Sequence, residues 1–214
     1  MKKILHVSCS PRGQAAESYR LSQTIIDFLL QKERNAIVVA RVVSGHAIMP
    51  IDADYALSQQ SAADISREGS MAQSEKLVRE LESADFVVIG TPMHNFTVPA
   101  ALKAWIDYVV RARRTFTVSP GGKIGMLSDR PVFVAISSGG RFSGERARQP
   151  DFLTPYLRAV LGIIGLHDLS FFSVQGTASG QDAVASERAR ADRELREHFL
   201  PMSNPAALPV GRSE

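Results

Sequence analysis

Short apolar runs alternate with amphipathic stretches along most of the chain, and this alternation limits the possible folds more than any other feature. Residues 3–8, 36–43, 85–90, 131–136 and 169–174 are β-prone runs bounded by turn-forming residues. The run at 85–90 is almost continuously apolar, which is typical of a parallel strand buried on both faces. Strands separated by helices favour right-handed crossovers and a parallel sheet that is covered on both sides.

The segments between these runs carry apolar residues at helical spacing. Leu21, Ile25 and Leu29 recur at intervals of four residues within residues 18–33 and form one face of an amphipathic helix. The same spacing predicts helices over residues 72–82, 99–111, 155–164 and 182–199. The sequence therefore predicts an α/β fold, a three-layer sandwich with helices on both faces of a five-stranded parallel sheet.

Two segments interrupt the alternation. Residues 44–70 are polar, include Pro50 and have no clean periodicity, so at most one short helix is expected there. Residues 113–130 contain a pair of adjacent glycines and favour either an irregular segment or a hairpin. Because composition shifts nowhere abruptly, residues 1–200 are expected to form one domain, and the proline-rich residues 201–214 a mobile tail.

Charge and cysteine content exclude several classes of protein. The net charge of +3 comes from scattered basic residues rather than from a stripe, so no nucleic-acid partner is expected. The single cysteine, Cys9, rules out an intramolecular disulfide and indicates a reducing compartment. The apolar run at residues 4–9 is too short for a signal peptide, and none reaches membrane-spanning length. A cytoplasmic location without membrane contact is expected, and the histidine spacing predicts no metal site.

The loop after the first strand has the features of a phosphate site. Ser10 and Ser18 bracket the start of the first helix, where free N–H groups and the helix dipole favour an anion. The loop lacks the Walker lysine pattern and the Gly-x-Gly-x-x-Gly fingerprint, so a single phosphate ester fits better than a triphosphate or dinucleotide. The alternative is structural, with Ser18 as an ordinary N-cap and Ser10 as a turn former.

Two further loops follow predicted strands and should meet the first at one edge of the sheet. The loop at residues 92–96 offers the amide of Asn95 and the ring of Phe96 to a flat heterocycle, or it is a turn with a left-handed asparagine. The loop at residues 137–140 contains two glycines, which either let the backbone approach a ligand or make a tight turn.

Taken together, these loops resemble the FMN-dependent NADH azoreductases, also described as NADH:quinone oxidoreductases. The resemblance spans roughly residues 3–200 and implies a flavodoxin-like fold with one FMN per subunit in a homodimer. It rests on Ser10-Pro11-Arg12 with Ser18 and Leu21, Pro92-Met93-His94-Asn95-Phe96 with Pro99, Leu102, Lys103, Trp105, Ile106 and Asp107, Thr115-Phe116, Ser137-Ser138-Gly139-Gly140, and Leu153-Thr154-Pro155-Tyr156-Leu157 with Gly162, Gly165 and Leu166.

The resemblance implies a set of cofactor-binding residues. FMN phosphate contacts are implied for Ser10, Ala16, Glu17 and Ser18. Flavin-ring contacts are implied for Met93, His94, Asn95, Phe96, Ser137, Ser138, Gly139 and Gly140. Asn95 and His94 are the candidate catalytic residues, and His94 has the alternative of a loop histidine without a chemical role.

The implied activity is two-electron reduction of quinones by NADH, which protects against electrophilic quinones, together with reductive cleavage of aromatic azo bonds to amines. Hydride transfer through N5 of the flavin would follow ping-pong kinetics. Three alternatives stay open: an NADPH-dependent quinone reductase without azo activity, a flavodoxin-like electron carrier and a scaffold without flavin.

Four positions depart from the family pattern. Ala16 stands where many members have a hydroxyl, and Glu17 adds a carboxylate beside the expected phosphate, so phosphate binding must depend on backbone N–H groups and Ser18. His94 and Val118 stand where tyrosines are frequent, which affects the substrate pocket.

Overall fold

A five-stranded parallel sheet forms the middle layer of the computed structural model, which describes residues 1–45, 47–60 and 69–200. Its strands are β1 (Lys3–Ser8), β2 (Ile37–Val42), β3 (Phe86–Pro92), β6 (Val132–Ser137) and β7 (Leu169–Val174). They lie in the order β2-β1-β3-β6-β7 with parallel pairing throughout, which confirms the predicted parallel sheet. The order reverses between β1 and β3, because β2 lies on one side of β1 and all later strands of the sheet lie on the other.

Six α-helices of the described chain cover both faces of the sheet. They are α1 (Glu17–Lys32), α2 (Ala53–Gln60), α3 (Gly69–Ser83), α4 (Ala100–Val109), α5 (Leu153–Ile163) and α6 (Gln181–Phe199). Buried side chains of α1 and α6 form one core with the sheet, whereas α3, α4 and α5 contribute to the core on the opposite face. The three-layer sandwich predicted from the sequence is confirmed.

Strand β6 shows how one apolar run serves both cores. Val132, Val134 and Ile136 pack into the core of α3, α4 and α5, while Phe133 and Ala135 pack into the core of α1 and α6. Successive side chains of a strand point to opposite faces, so a strand covered on both sides must be apolar at every position. This requirement explains the continuous apolar runs in the sequence.

The two interrupting segments also take definite structures. Strands β4 (Phe116–Ser119) and β5 (Gly122–Gly125) pair antiparallel, so residues 113–130 contain the hairpin that the sequence allowed. The polar segment at 44–70 contains the short helix α2, as expected. Part of that segment and the whole predicted tail at 201–214 lie outside the described residues, so the mobility of the tail and the single-domain boundary stay predictions.

Helix α5 begins two residues earlier than the sequence analysis predicts. The carboxylate of Asp151 accepts hydrogen bonds from the N–H groups of Leu153 and Thr154, each at 2.9 Å, and so satisfies two amides at the start of the helix. Pro155 therefore lies inside the first turn of α5 instead of opening it. Among the helices of the described chain, none combines the length and apolarity needed to cross a membrane.

Close packing of α1 on β3 positions the loop that precedes the helix. A Cβ atom at Gly90 would lie 2.9 Å from Ser22 Oγ and 3.1 Å from the carbonyl oxygen of Ser18. Any larger residue would push the first turns of α1 away from the sheet. The absence of a side chain at Gly90 therefore brings the start of α1 against the end of β3.

His6 is a buried polar residue beneath the same helix. Its ring lies between Ser22 Oγ, 2.8 Å from Nε2, and the Gln23 amide nitrogen, 3.3 Å from Nδ1. Burial disfavours the charged imidazolium and lowers the pKa of His6 from 6.5 to about 4. The folded protein therefore binds this proton less readily than the unfolded chain does.

Stability should consequently fall as the pH is lowered from 6.5 towards 4, because the unfolded state gains a proton that the folded state excludes. We expect His6 to remove about 2 kcal/mol from the free energy of unfolding between pH 7 and pH 5. Urea denaturation at both pH values measures this loss. His6→Gln should show a smaller loss than the wild type, and the exposed His167→Gln variant should match the wild type. Equal pH dependence in wild type and His6→Gln would contradict the assignment.

Candidate functional site

The three loops identified in the sequence lie next to one another at the carboxyl edge of the sheet. The N–H of Cys9 donates to the carbonyl of Gly90 at 2.9 Å, so the first loop begins against β3. The N–H of Met93 donates to the carbonyl of Ser137 at 2.8 Å, which joins the second loop to the third. This edge includes the reversal of strand order between β1 and β3, where open α/β sheets bind their ligands.

The first loop presents backbone donors at the start of α1. A 3₁₀ turn at Gly13–Ala15 leads into the helix, and Ala16 is its N-cap residue without any capping side chain. The carbonyl of Ala16 accepts the N–H groups of Tyr19 and Arg20. The amides of Glu17 and Ser18 come first in the helix and by its geometry lack an intrahelical acceptor. An anion is the natural partner of such groups.

Ser18 provides the clearest indication of a ligand at this helix start. The residue is 0% exposed, and its Oγ atom has no hydrogen-bond partner among the described residues. A buried hydroxyl without a partner costs about 1–3 kcal/mol, so such groups commonly mark a missing ligand or water. The interpretation of Ser18 as an ordinary N-cap is wrong, because Ala16 holds that position. Ser10 does act as a turn former, since its Oγ accepts the N–H of Arg12 at 3.2 Å.

The carboxylate of Glu17 is neutralised by arginines. Arg188 of α6 donates from Nε to Glu17 Oε2 at 2.8 Å and from a second nitrogen to Oε1. Arg20 Nε lies 3.5 Å from the same carboxylate, and its Nη1 donates to Asp192 at 3.3 Å. The hydrogen bonds from Arg188 are the main reason that the pKa of Glu17 is lowered. Glu17 is therefore ionised but paired, and Arg20 is turned towards α6.

The second loop contains a tight turn with an unusual backbone. His94 and Thr97 exchange two N–H···O=C hydrogen bonds of 3.0 Å, and both residues between them have positive φ angles, 48° at Asn95 and 69° at Phe96. This is the geometry of a type I′ turn, which favours Asn followed by Gly. The left-handed asparagine that the sequence allowed is confirmed. An aromatic residue in the left-handed region is uncommon and strained.

The Phe96 ring is held where a ligand can reach it. The side chain is 43% exposed, although the Phe96 carbonyl is fixed by the N–H of Phe152 at 3.0 Å. Strain of this kind persists where surrounding contacts impose it, and it often accompanies ligand-binding loops. His94 and Asn95 are also exposed in the same turn. The turn can therefore offer an aromatic surface, an imidazole and an amide to a flat molecule.

The third loop packs against the second through a residue that the sequence analysis missed. The amide nitrogen of Gln149 donates to Ser138 Oγ at 3.0 Å and approaches Met93 Sδ at 3.2 Å. A Cβ atom at Gly140 would lie 2.1 Å from Gln149 Oε1, so a side chain there would displace the bridge. Gln149 lies in an irregular segment, where no periodicity or motif distinguishes it. The neighbouring Gly139 is exposed.

Other residues singled out in the sequence take structural roles. Cys9 is fully buried, and burial raises the pKa of its thiol far above the usual range, which fits a packed small residue and not a nucleophile. Trp105 and Tyr108 of α4 are buried in the core of α3, α4 and α5. Within the described chain, no group of three or more His, Cys, Asp or Glu side chains is placed to hold a metal ion.

The arrangement fits a ligand that joins a phosphate to a flat ring. The amides of Glu17 and Ser18 and the unpaired Ser18 hydroxyl suit the phosphate. The Asn95-Phe96 turn and the exposed Gly139 suit the ring, because they offer an amide, an aromatic face and a backbone that a ligand can approach closely. FMN has both parts, and its phosphate and ring would be held by these two groups of residues.

Comparison with known proteins agrees with this site. A family model described as the flavodoxin-like fold matches residues 2–199, which confirms the predicted class of protein. The chain is 45% identical over 204 residues to an FMN-dependent NADH:quinone oxidoreductase of Pseudomonas fluorescens, covering 94% of this chain and 98% of the relative. It is 43% identical over 193 residues to another from Burkholderia lata, covering 89% and 93%. The chain therefore belongs to the family of FMN-dependent NADH:quinone oxidoreductases, and the resemblance is confirmed.

Solved structures share the fold at lower identity. An azoreductase from Bacillus anthracis superposes with a TM-score of 0.79 at 22% identity, over 93% of this chain and 99% of the other. An FMN-dependent NADH-azoreductase from the same organism, solved in complex with FMN, superposes with a TM-score of 0.73 at 21% identity, over 93% and 100%. The flavodoxin-like arrangement of strands and helices is thus common to these proteins.

Replacement of Ser18 by alanine should separate ligand binding from folding. We expect Ser18→Ala to leave the apoprotein as stable as the wild type or more stable by up to about 1 kcal/mol, because an unpaired buried hydroxyl is removed. FMN affinity should fall roughly tenfold, because a hydrogen bond to a charged phosphate is lost. Urea denaturation and quenching of flavin fluorescence measure the two effects.

Ser22 is the matched control, one turn further along α1. Its Oγ donates to the carbonyl of Tyr19 at 2.8 Å and contacts the His6 ring. Ser22→Ala should therefore destabilise the apoprotein by about 1–2 kcal/mol, the opposite sign to Ser18→Ala. Equal destabilisation by both substitutions would show that Ser18 is a structural residue.

Relief of the strain at Phe96 should stabilise the protein but weaken FMN binding. Phe96→Gly creates the Asn-Gly pair that a type I′ turn favours and should raise the free energy of unfolding by up to about 1 kcal/mol. The same variant should bind FMN more weakly because the aromatic surface is lost. Phe96→Tyr, which keeps the ring, should bind FMN as the wild type does. A Phe96→Gly apoprotein clearly less stable than the wild type would show that the turn is not strained.

Proposed function

We propose that the protein is an FMN-dependent NADH:quinone oxidoreductase that reduces quinones by two electrons and also cleaves aromatic azo bonds to amines. The observation that carries this proposal is the buried, unpaired Ser18 hydroxyl at the start of α1. The first turn of α1 lies at the same sheet edge as the Asn95-Phe96 turn, so an anion site and a ring site would share one edge. The relatives at 45% and 43% identity are FMN-dependent NADH:quinone oxidoreductases, and we propose the same chemistry for this site.

Different residues hold the phosphate and the ring of the cofactor. The start of α1 and Ser18 bind the phosphate, and Ser10 shapes the loop through its contact with the Arg12 amide. The side-chain amide of Asn95 provides a donor and an acceptor for the polar rim of the ring. Phe96 excludes water from part of the ring surface, and Gly139 admits the ring edge close to the backbone. When bound, FMN supplies hydride acceptance at N5 and passes two electrons to the acceptor.

The exposed second loop lies where the nicotinamide and the acceptor would bind beside the flavin ring. His94 is exposed beside the ring site and is our candidate to hold the proton that a reduced acceptor takes up. If one open face serves both substrates, the oxidised nicotinamide must leave before the acceptor binds. Ping-pong kinetics follow from that exchange. Cleavage of an azo bond requires four electrons and therefore two such cycles.

A second copy of the chain is the proposed partner. Val118, Ile124 and Met126 are each more than half exposed on or beside the hairpin, and Phe152 is 59% exposed next to the turn that contains Phe96. Apolar side chains of this size on a surface favour a protein interface. A homodimer would cover them close to the flavin site. The free and buried Cys9 supports the proposed cytoplasmic location.

An anaerobic absorbance titration of the FMN-reconstituted protein tests the proposal. NADH should bleach the flavin band, and benzoquinone should restore it, because the two half-reactions are separate. Repetition with NADPH as donor and with methyl red as acceptor distinguishes the azo-active NADH enzyme from an NADPH-dependent quinone reductase. A protein that fails to bind FMN contradicts the proposal. Bound flavin that NADH reduces only with a protein partner present would instead indicate an electron carrier.

A further inference from the structure

Glu17 creates an electrostatic problem at the proposed phosphate site. It is the acidic residue in the first turn of α1 and the immediate neighbour of Ser18, whose hydroxyl is buried without a partner. A carboxylate in that position repels a phosphate bound to the same helix start, because like charges a few ångströms apart interact strongly even near a protein surface. The favourable helix dipole alone amounts to only about half an elementary charge.

Arg188 provides the compensating charge from a distant part of the chain. It lies 171 residues from Glu17, in α6, and contacts both carboxylate oxygens with two different nitrogens. Such two-point pairs are short, directional and stronger than neutral hydrogen bonds. The Glu17 side chain is only 15% exposed, so solvent screens its charge less than it would at an open surface.

The pair is not needed to attach α6 to the rest of the protein. Ala191, Leu195 and Phe199 of α6 are buried in the core shared with α1 and the sheet. Arg20, which also contacts Glu17, forms a second ion pair between the two helices with Asp192. Exposed or half-exposed ion pairs contribute little to stability in comparison with buried apolar surface. The attachment of α6 therefore does not explain the Glu17–Arg188 pair.

We infer that Arg188 is a positioning residue for the FMN phosphate, because it holds and neutralises Glu17 and so keeps the start of α1 attractive to a dianion. The inference rests on the proposed function, since FMN is the ligand in question. It concerns the phosphate alone and therefore predicts selectivity between FMN and riboflavin, which has the same ring without a phosphate. It also makes phosphate binding depend on the docked position of the C-terminal helix.

The test compares FMN and riboflavin binding to the full-length apoprotein by quenching of flavin fluorescence at low ionic strength. Arg188→Gln removes both hydrogen bonds to the Glu17 carboxylate and leaves only its 3.5 Å contact with Arg20. This variant should bind FMN roughly tenfold more weakly, with riboflavin binding unchanged. Adding Glu17→Gln to that variant should restore wild-type FMN affinity, because the repelling charge is gone. Glu17→Gln alone should bind FMN at least as tightly as the wild type. Added salt should reduce the deficit of Arg188→Gln.

Two control variants distinguish the effect of the Glu17–Arg188 pair from a general change in the charge of α6. Arg193→Gln removes the same charge from an exposed position of α6 that forms none of the helix's ion pairs within the described chain, and it should bind FMN as the wild type does. Arg188→Lys keeps a positive charge and should retain most of the FMN affinity. Circular dichroism of each variant verifies that the fold is retained.

The possible outcomes separate this inference from the proposed function. Failure of the wild type to bind FMN overturns the proposed function. Wild-type binding of FMN with no effect of Arg188→Gln overturns the inference alone. Equal loss of FMN and riboflavin in Arg188→Gln, without recovery in the double variant, also overturns it, because that result assigns Arg188 to helix docking.

Discussion

The close approach of α1 to the sheet at Gly90 is the contact on which the site depends. It places the first turn of the helix against the end of β3, where the N–H groups of Glu17 and Ser18 face the edge at which strand order reverses. The neighbouring strands end at the same edge, because their parallel register pairs Pro92 with Ser137 and Ser137 with Val174. The positions of the three loops are consequences of helix packing and strand register.

Within this rigid frame, the site contains groups that the fold leaves unsatisfied. Ser18 keeps a buried hydroxyl without a partner, and Phe96 keeps a left-handed backbone that aromatic residues rarely adopt. A sequence optimised only for stability would remove both features. Local violations of this kind are expected where a protein binds a ligand, because stability is given up for a preorganised surface. They occur here in the first turn of α1 and in the loop after β3, which meet at the same edge of the sheet.

The charge at the proposed phosphate site depends on residues from α1 and from α6. Ala16 supplies no hydroxyl and Glu17 supplies a negative charge, so the loop by itself is poorly suited to a dianion. Arg188 corrects the charge from α6, and Arg20 adds a second, weaker contact. In the proposed site, the helix dipole, the unpaired Ser18 hydroxyl and these arginines would act together on the phosphate.

Local sequence patterns were enough to predict nearly all of the fold. Every strand of the sheet and the helices on both faces appear in the sequence, because burial of a strand on both sides requires a continuous apolar run and burial of one helix face requires a three- to four-residue period. The ends of the predicted strands located the three loops, and the family resemblance related them to FMN. The start of α5 was misplaced because the carboxylate of Asp151 accepts the N–H groups of Leu153 and Thr154, so the helix begins before Pro155.

The tertiary structure alone decided the properties of individual site residues. Ser18 is buried only because α1 packs against the sheet. Gln149 bonds to Ser138 in a different segment, and Glu17 pairs with Arg188, which is 171 positions away along the chain. Periodicity records whether a residue faces a core, but it contains no information about which distant side chain completes a hydrogen bond or an ion pair. Those partners are set by helix packing and strand register, so they emerge only when the whole chain is folded.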